Sequence, residues 1–344
     1  MKTFHNHGGI LPGTSTRREV LRAASALALG SGCAGWSLAD TKATGGAWPD
    51  KPVRLVIAGP AGGSPDMVAR ALSDQLGRST KQAFIVDPKP GGAGVIALNE
   101  LLQAPVDSYT LLVGVSSLVS EIPHIVKMRH DTRKAIVPLA ELARGGIVLV
   151  AAPELPVKNL KDVIELSRAS KDGLSYASYS PGTMSHVAGL IMGQTTGARL
   201  THVAYKGSTA GLNDLMGGHI PLMFDGLATS LPFIRSGKIK AIAITSPQRS
   251  PLLPEVPTFQ EQGLPQLTYT GWLGLWANSA LPADKQQAIR QTVLQAMDTP
   301  EFKSTLAGAG FEPGTHRDSA MLRAELLSDY DRVGKVLQGT NLRP

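Results

Sequence analysis

The stretch Val53-Arg54-Leu55-Val56-Ile57-Ala58-Gly59-Pro60-Ala61-Gly62-Gly63-Ser64-Pro65-Asp66-Met67-Val68-Ala69-Arg70 decides how the rest of the chain is read. The β-branched apolar residues at its start predict a strand. Gly62-Gly63 predict a turn in which backbone amides can come close to a ligand. Ser64 has the chemistry of an N-cap, Pro65 suits the first helical position, and Asp66 complements the positive end of a helix. Met67, Val68, Ala71, Leu72 and Leu76 then repeat at three and four residues, the inward stripe of a helix. A glycine turn leading into a helix start makes an anion site without any basic side chain, because the first N–H groups have no intrahelical partner.

Outward from this unit the alternation continues. A strand at 84–86, a turn-rich 87–94, a helix at 95–103 and a strand at 109–113 ending in Gly114-Val115-Ser116-Ser117 follow. Strand–helix alternation predicts a parallel sheet covered by helices on both faces. The strand Ile147–Ala151, just before Pro153 and Pro156, reads as a crossing into a second domain. There Asn159 caps a helix over 160–170, and a short strand at 174–177 leads into the turn Ser178 to Thr183 and a helix over 184–195. A helix at 208–216 and strands at 220–225 and 241–245 complete that domain. An aromatic, extended segment at 267–276 reads as the return crossing. Helices at 283–297, 301–309 and 317–337 are expected to pack back on the first domain.

The resulting expectation is an α/β protein of two Rossmann-like lobes joined by two crossovers, with strand C-termini facing a cleft where ligands of open α/β sheets bind. The first lobe takes 48–149 and 271–344, and the second takes 150–270.

Composition narrows the function. The 344 residues are 42% hydrophobic and 18% charged, ordinary for a globular chain with room for two domains. An aromatic content of 5% argues against stacking platforms for bases or sugars. The formal charge is +7. Residues 1–39 carry part of it and read as an export signal: Arg17-Arg18 in a twin-arginine pattern, an apolar run at 23–29, and Ser37-Leu38-Ala39 as a cleavage site before Asp40. Removing them leaves 30 basic against 26 acidic residues, a surplus of +4, too small to argue for nucleic acid. Residues 40–47 read as a flexible leader. The expected location is the periplasm. The single cysteine, Cys33, lies in the signal, so the mature chain has no disulfide or thiolate metal site. Lipidation of Cys33 is disfavoured by Gly30, where a large aliphatic residue belongs. No later apolar run approaches the ~20 residues of a membrane helix.

Catalytic signatures fail. No glycine-rich loop ends in Gly-Lys-Ser/Thr, and Gly91-Gly92-Ala93-Gly94 is too compact for a dinucleotide turn. The histidines outside the signal, His124, His130, His186, His202, His219 and His316, lack metal-ligand spacing, so no metal or other cofactor is expected. An exported hydrolase built from Ser178, His186 and Asp225 stays open as an alternative, since geometry defines a triad. What remains are Gly/Ser/Thr turns before helices: Gly62-Gly63-Ser64 in one domain, Ser178 to Thr183 in the other. Each alone can be a mere fold device; facing each other they can grip a carboxylate through neutral donors. Asp66 reads as a helix-start acid or a ligand contact. Asp225 can accept from a ligand or hold a loop. His186 can tie a loop to its helix. Tyr205-Lys206 reaches the cleft or lies on its rim, and Trp272 and Trp276 suit hinge or core packing.

Taken together the motifs resemble the Bug family, the solute receptors of tripartite tricarboxylate transporters. The resemblance rests on Trp48-Pro49-Asp50-Lys51-Pro52-Val53-Arg54-Leu55-Val56, on Gly62-Gly63 with Asp66 and Ala69-Arg70, and on Asp107-Ser108-Tyr109-Thr110-Leu111-Leu112. It continues through Tyr176-Ala177-Ser178, Gly182-Thr183, Ser185-His186, Tyr205-Lys206-Gly207, Asp214 to Gly218, Leu222-Met223-Phe224-Asp225 and Pro254-Glu255-Val256-Pro257-Thr258, so it spans nearly all of 48–337. It implies a type II-like periplasmic binding fold that closes on a small organic carboxylate and works, as a monomer, with membrane transporter subunits; a sensor kinase is a second possible partner. It carries ligand contacts onto Gly62, Gly63, Ser64, Asp66, Ser116, Ser117, Ser178 and Thr183, with Phe224 and Asp225 shaping the distal pocket. His186 and Tyr205 complete the expected set. The chain departs from the family pattern at Ala61, at Pro88-Lys89-Pro90-Gly91 and at Gly226, which bears on the ligand more than on the fold.

Overall fold

Residues 48–338 are described by the structure, a computed structural model. The export signal, Cys33 and the leader lie outside these residues.

The opening stretch forms β1 (Val53–Ile57) and α1 (Ser64–Thr80). Leu55, Ile57, Val68, Leu72 and Leu76 are fully buried in one cluster, as the apolar stripe requires. The chain continues through β2 (Phe84–Pro88), α2 (Val95–Gln103), β3 (Thr110–Val115), α3 (Ser117–Ser120), α4 (Thr132–Ala135) and β4 (Ile136–Gly145). Gly146 then separates β4 from β5 (Ile147–Ala151). There follow α5 (Leu160–Ala169), β6 (Leu174–Ser178), α6 (Met184–Thr196), β7 (Leu200–Ala204), α7 (Ser208–Met216), β8 (Leu222–Gly226), α8 (Leu227–Arg235) and β9 (Lys240–Ile244). After the return come β10 (Gly271–Asn278), α9 (Ala283–Met297), α10 (Pro300–Gly308), β11 (Glu312–Pro313) and α11 (Ser319–Val336).

Two mixed sheets result, in the orders β11-β4-β10-β3-β1-β2 and β7-β6-β8-β5-β9. The expected parallel pairing holds for β2-β1-β3 and for β7-β6-β8. Antiparallel strands extend both sheets: β10 joins β3 to β4, and β5 joins β8 to β9. Both sheets lie in one compact unit.

Among the differences from the sequence reading, two concern how the sheets are built and braced. The strand β4 was not anticipated, because Pro138, Glu141 and Arg144 interrupt its apolar run; Glu141 is nonetheless buried, held by Arg144 at 2.7 Å. The final helix does not pack on the first sheet alone. Its Leu322 and Leu326 join a cluster with Trp272 and Trp276, whereas Val333 joins the second sheet's core beside Ile191 and Leu264. Thus α11 braces both halves. Among the described residues no helix is long and apolar enough to cross a membrane.

Candidate functional site

A cleft of about 410 Å³ lies between the two sheets. The loops after the parallel strands line it: Pro60, Gly63 and Ser64 after β1, Gly91 to Gly94 after β2, Ser116 and Ser117 after β3, Ser180 and Thr183 after β6, Tyr205 to Gly207 after β7, and Gly226 at the end of β8. This is the edge at which open α/β sheets take ligands. The halves touch across it. Gly207, at φ +110°, faces Pro60 so closely that an added Cβ would sit 2.4 Å from the proline Cγ. Gly182 faces Ile122 in the same way, with 3.0 Å to its Cα.

The turn at Gly62-Gly63 is built by Asp66. One carboxylate oxygen accepts from the Gly62 N–H at 2.9 Å and from Arg70 Nε at 2.9 Å, with Gly62 at φ +76°. The Asp66 side chain is buried below the turn and does not line the cleft. Gly63, not Ser64, occupies the N-cap, and the Ser64 hydroxyl caps nothing. It instead points toward Gly226 of the other half, where an added Cβ would lie 3.1 Å away.

The expected residues therefore divide. Gly63, Ser64, Ser116, Ser117, Thr183 and Tyr205 line the cleft. Asp66, Ser178, His186, Phe224 and Asp225 are buried behind it and hold the lining loops, and Gly62 is an exposed turn residue outside the lining. Phe224 is fully buried between Tyr176, edge-on at 5.9 Å, and Phe259, stacked at 6.0 Å. Asp225 is fully buried and accepts from the hydroxyls of Ser208 at 2.5 Å, Thr229 at 2.6 Å and Ser230 at 2.8 Å. It thereby fixes the start of α7 to the start of α8. His186 Nδ1 accepts from the Gly182 N–H at 3.1 Å, tying the turn to its helix. Ser178 Oγ lies 2.7 Å from His202 Nε2 and donates to the Ser180 carbonyl at 3.0 Å. Ser178, His186 and Asp225 therefore do not form a triad: serine faces a different histidine, and the carboxylate is spent on hydroxyls. Among the described residues no cluster of three or more His, Cys, Asp or Glu could hold a metal ion.

Sequence reading missed several lining residues, including Met184, Leu227, Ala228 and Phe311. They carry no polar signal. Trp272 both lines the cleft and stacks on Trp276 at 5.0 Å, so its packing reading captured half of its role.

Burial shapes the electrostatics beneath the cleft. It pushes the Glu121 carboxyl up to about 7, against the opposing pull of the Ser120 and Ser117 hydroxyls. It also holds His186 down to about 3, with help from His202, and His202 down to about 4. The two imidazoles stack at 3.6 Å and 15°. Burial raises the Asp225 carboxyl above the usual carboxylate range, partly offset by its three hydroxyl donors. Among the described residues, no Asp or Glu lines the cleft. Arg144 is the one guanidinium there, and Glu141 and Glu325 pair with it at 2.7 and 3.0 Å. The site therefore offers an anion neutral donors from both halves, set among largely apolar walls.

Comparison with known proteins agrees with this geometry. The model of the tripartite tricarboxylate transporter family receptors matches residues 68–342. A UPF0065 protein of Bordetella bronchiseptica is 28% identical over 300 residues, covering 86% of this chain and 88% of that protein. An R. palustris protein solved with adipate is 28% identical with a TM-score of 0.82, covering 86% of this chain and 99% of that one. MatC from Rhodopseudomonas palustris, solved with bound malate, is 25% identical with a TM-score of 0.79, covering 84% of this chain and all of that one, 100%.

Proposed function

The chain belongs to the tripartite tricarboxylate transporter receptor family, and from that premise we propose that it captures a small organic carboxylate between its two halves and hands it to the membrane subunits of such a transporter. It is a binding receptor and not an enzyme. The observation that carries the ligand reading is the facing of two neutral donor sets: the Ser64 helix start with Ser116 and Ser117 on one side, and the Ser180 to Thr183 turn on the other. Adipate and malate in two similar proteins support the same ligand class.

In this reading Gly63, Ser64, Ser116, Ser117, Thr183 and Tyr205 meet the ligand. Gly62, Asp66, Ser178, His186, Phe224 and Asp225 set the shape of the loops that do. A carboxylate bridging both halves stabilises the closed arrangement, which a ligand-free receptor leaves more easily. Neutral donors suit a receptor that must release its cargo, because no buried ion pair has to be broken on transfer. The twin-arginine pattern at Arg17-Arg18 supports export of the mature chain to the periplasm.

Thermal denaturation of the chain starting at Asp40, with a panel of aliphatic and aromatic carboxylates, tests this. A ligand at a hundredfold excess over its Kd stabilises by about 2.7 kcal/mol, a rise in Tm of about 4 °C for a chain of this length. No shift with any carboxylate refutes the ligand reading. Delivery is tested separately, by capture of transporter membrane subunits with liganded against ligand-free receptor. Capture of a sensor kinase instead would transfer the role to signalling.

A further inference from the structure

The polar groups of the cleft are mostly spoken for. Thr183 Oγ1 donates to the Ser180 carbonyl at 2.7 Å, Ser208 Oγ to Asp225 at 2.5 Å, and the Tyr205 hydroxyl to Asp214 at 2.7 Å. Ser117 Oγ accepts from the Met184 N–H at 3.4 Å and also bonds the Glu121 carboxyl. The Arg144 guanidinium is shared between Glu141, Glu325 and the Thr270 hydroxyl at 3.2 Å. Among the described lining residues, the polar side chains left without an intramolecular partner are Ser64, Ser180, Lys206 and the buried indole N–H of Trp272, and Ser116 keeps its hydroxyl proton while accepting from the Trp272 backbone N–H at 3.3 Å. Lys206 is exposed and sits beside Gly207, which packs on Pro60 of the loop that ends in Ser64. Lys206 and Ser64 thus border the same Pro60–Gly207 contact.

The rest of the wall is apolar. Val115, Leu118, Ile122, Met184 and Leu227 line it beside the Trp272 ring, and among the described residues no acidic side chain does. A ligand ammonium would find no ion-pair partner. A second carboxylate would be stripped of water against hydrocarbon, without a buried cation free to meet it.

Resting on the carboxylate reading above, we propose that the cleft selects monocarboxylates with an uncharged apolar body, aryl or alkyl, over dicarboxylates, tricarboxylates and amino acids. The single carboxylate sits at the Ser64 turn, and the body fills the apolar wall.

Isothermal titration of the chain starting at Asp40 with matched pairs decides the matter. Hexanoate and adipate differ by one terminal methyl against carboxylate. Benzoate and terephthalate differ by one ring carboxylate, and butyrate and 2-aminobutyrate by one ammonium. The expected result is at least a tenfold lower Kd for the first member of each pair. Within the favoured set, Lys206→Gln leaves the Kd within about twofold, while Ser64→Ala raises it severalfold at unchanged Tm. Adipate or terephthalate binding as tightly as its partner, with that affinity lost in Lys206→Gln, overturns the proposal while leaving the carboxylate reading intact. Binding of none of the anions overturns the carboxylate reading and the proposal with it.

Discussion

Replacing Glu121 by glutamine removes the most displaced carboxyl in the described structure whose titration falls near neutrality. Glu121 follows α3 directly beneath the cleft. Its surroundings are the Ser117 and Ser120 hydroxyls, Asp329 and Arg332 from α11, and the buried phenols Tyr179 and Tyr269. Burial moves its ionisation from the ordinary 4.5 to about 7. Between those values the unfolded chain is ionised and the folded chain is not, so the folded state binds more protons. Stability is therefore fully present below 4.5 and is lost as pH rises toward 7. At about 1.4 kcal/mol per pH unit, that interval amounts to about 3 kcal/mol. Glutamine stays neutral throughout and escapes the loss. Urea unfolding from about pH 4 to about pH 8 should show the variant gaining about 3 kcal/mol on the wild type across the range, with the change complete near neutrality. Two curves that run parallel refute the reasoning: the carboxyl would then be hydrated or ion-paired in solution.

The histidine pair acts on the acid side. His186 and His202 are held down to about 3 and about 4 by burial, so the unfolded chain takes up protons first as pH falls below 6.5, and each imidazole costs about 1.4 kcal/mol per pH unit there. Imidazole nitrogen shifts measured at about pH 5 should report both rings neutral. Asp225→Ala strands three hydroxyls in the core and should cost about 3 kcal/mol of stability by chemical unfolding, with a far smaller effect on affinity corrected for folded fraction. Gly207→Ala sets a Cβ against Pro60 across the cleft at φ +110°; solution scattering should show a more open molecule, and ligand affinity should fall at least tenfold.

Much of the fold is legible locally. The helices α2, α7 and α9 and the strand β5 fall where apolar spacing and flanking residues put them, and Asn159 caps α5 by accepting from the Asp162 N–H at 2.9 Å. Legibility fails where a distant partner decides. Glu141 and Arg144 make β4 look like surface, until Arg317 and Glu325, far along the chain, join them in one balanced cluster. Pro232 conceals α8 in the same manner, as a residue that local rules set outside helices. The site divides on similar lines. Backbone turns such as Gly62-Gly63-Ser64 are read from glycine and helix-start chemistry alone. Whether Asp225 faces a ligand or the interior is not, because Ser208 reaches it from 17 residues upstream. The same holds for Ser178, which local reading pairs with His186 and the fold pairs with His202.

The central place of β10 has a consequence for synthesis. Residues 271–278 slot between β3 and β4, both made well over a hundred residues earlier, and pair with β4 from end to end and with β3 over 273–276. A nascent chain that has emerged only as far as β9 can assemble the second sheet, whose strands are all in hand. The first sheet at that moment has a gap at its middle, with β3 and β4 presenting bare edges of the kind that invite pairing with other chains. The half that begins the polypeptide is thus the last to close, and its window of vulnerability lasts until the ribosome has delivered most of the remainder.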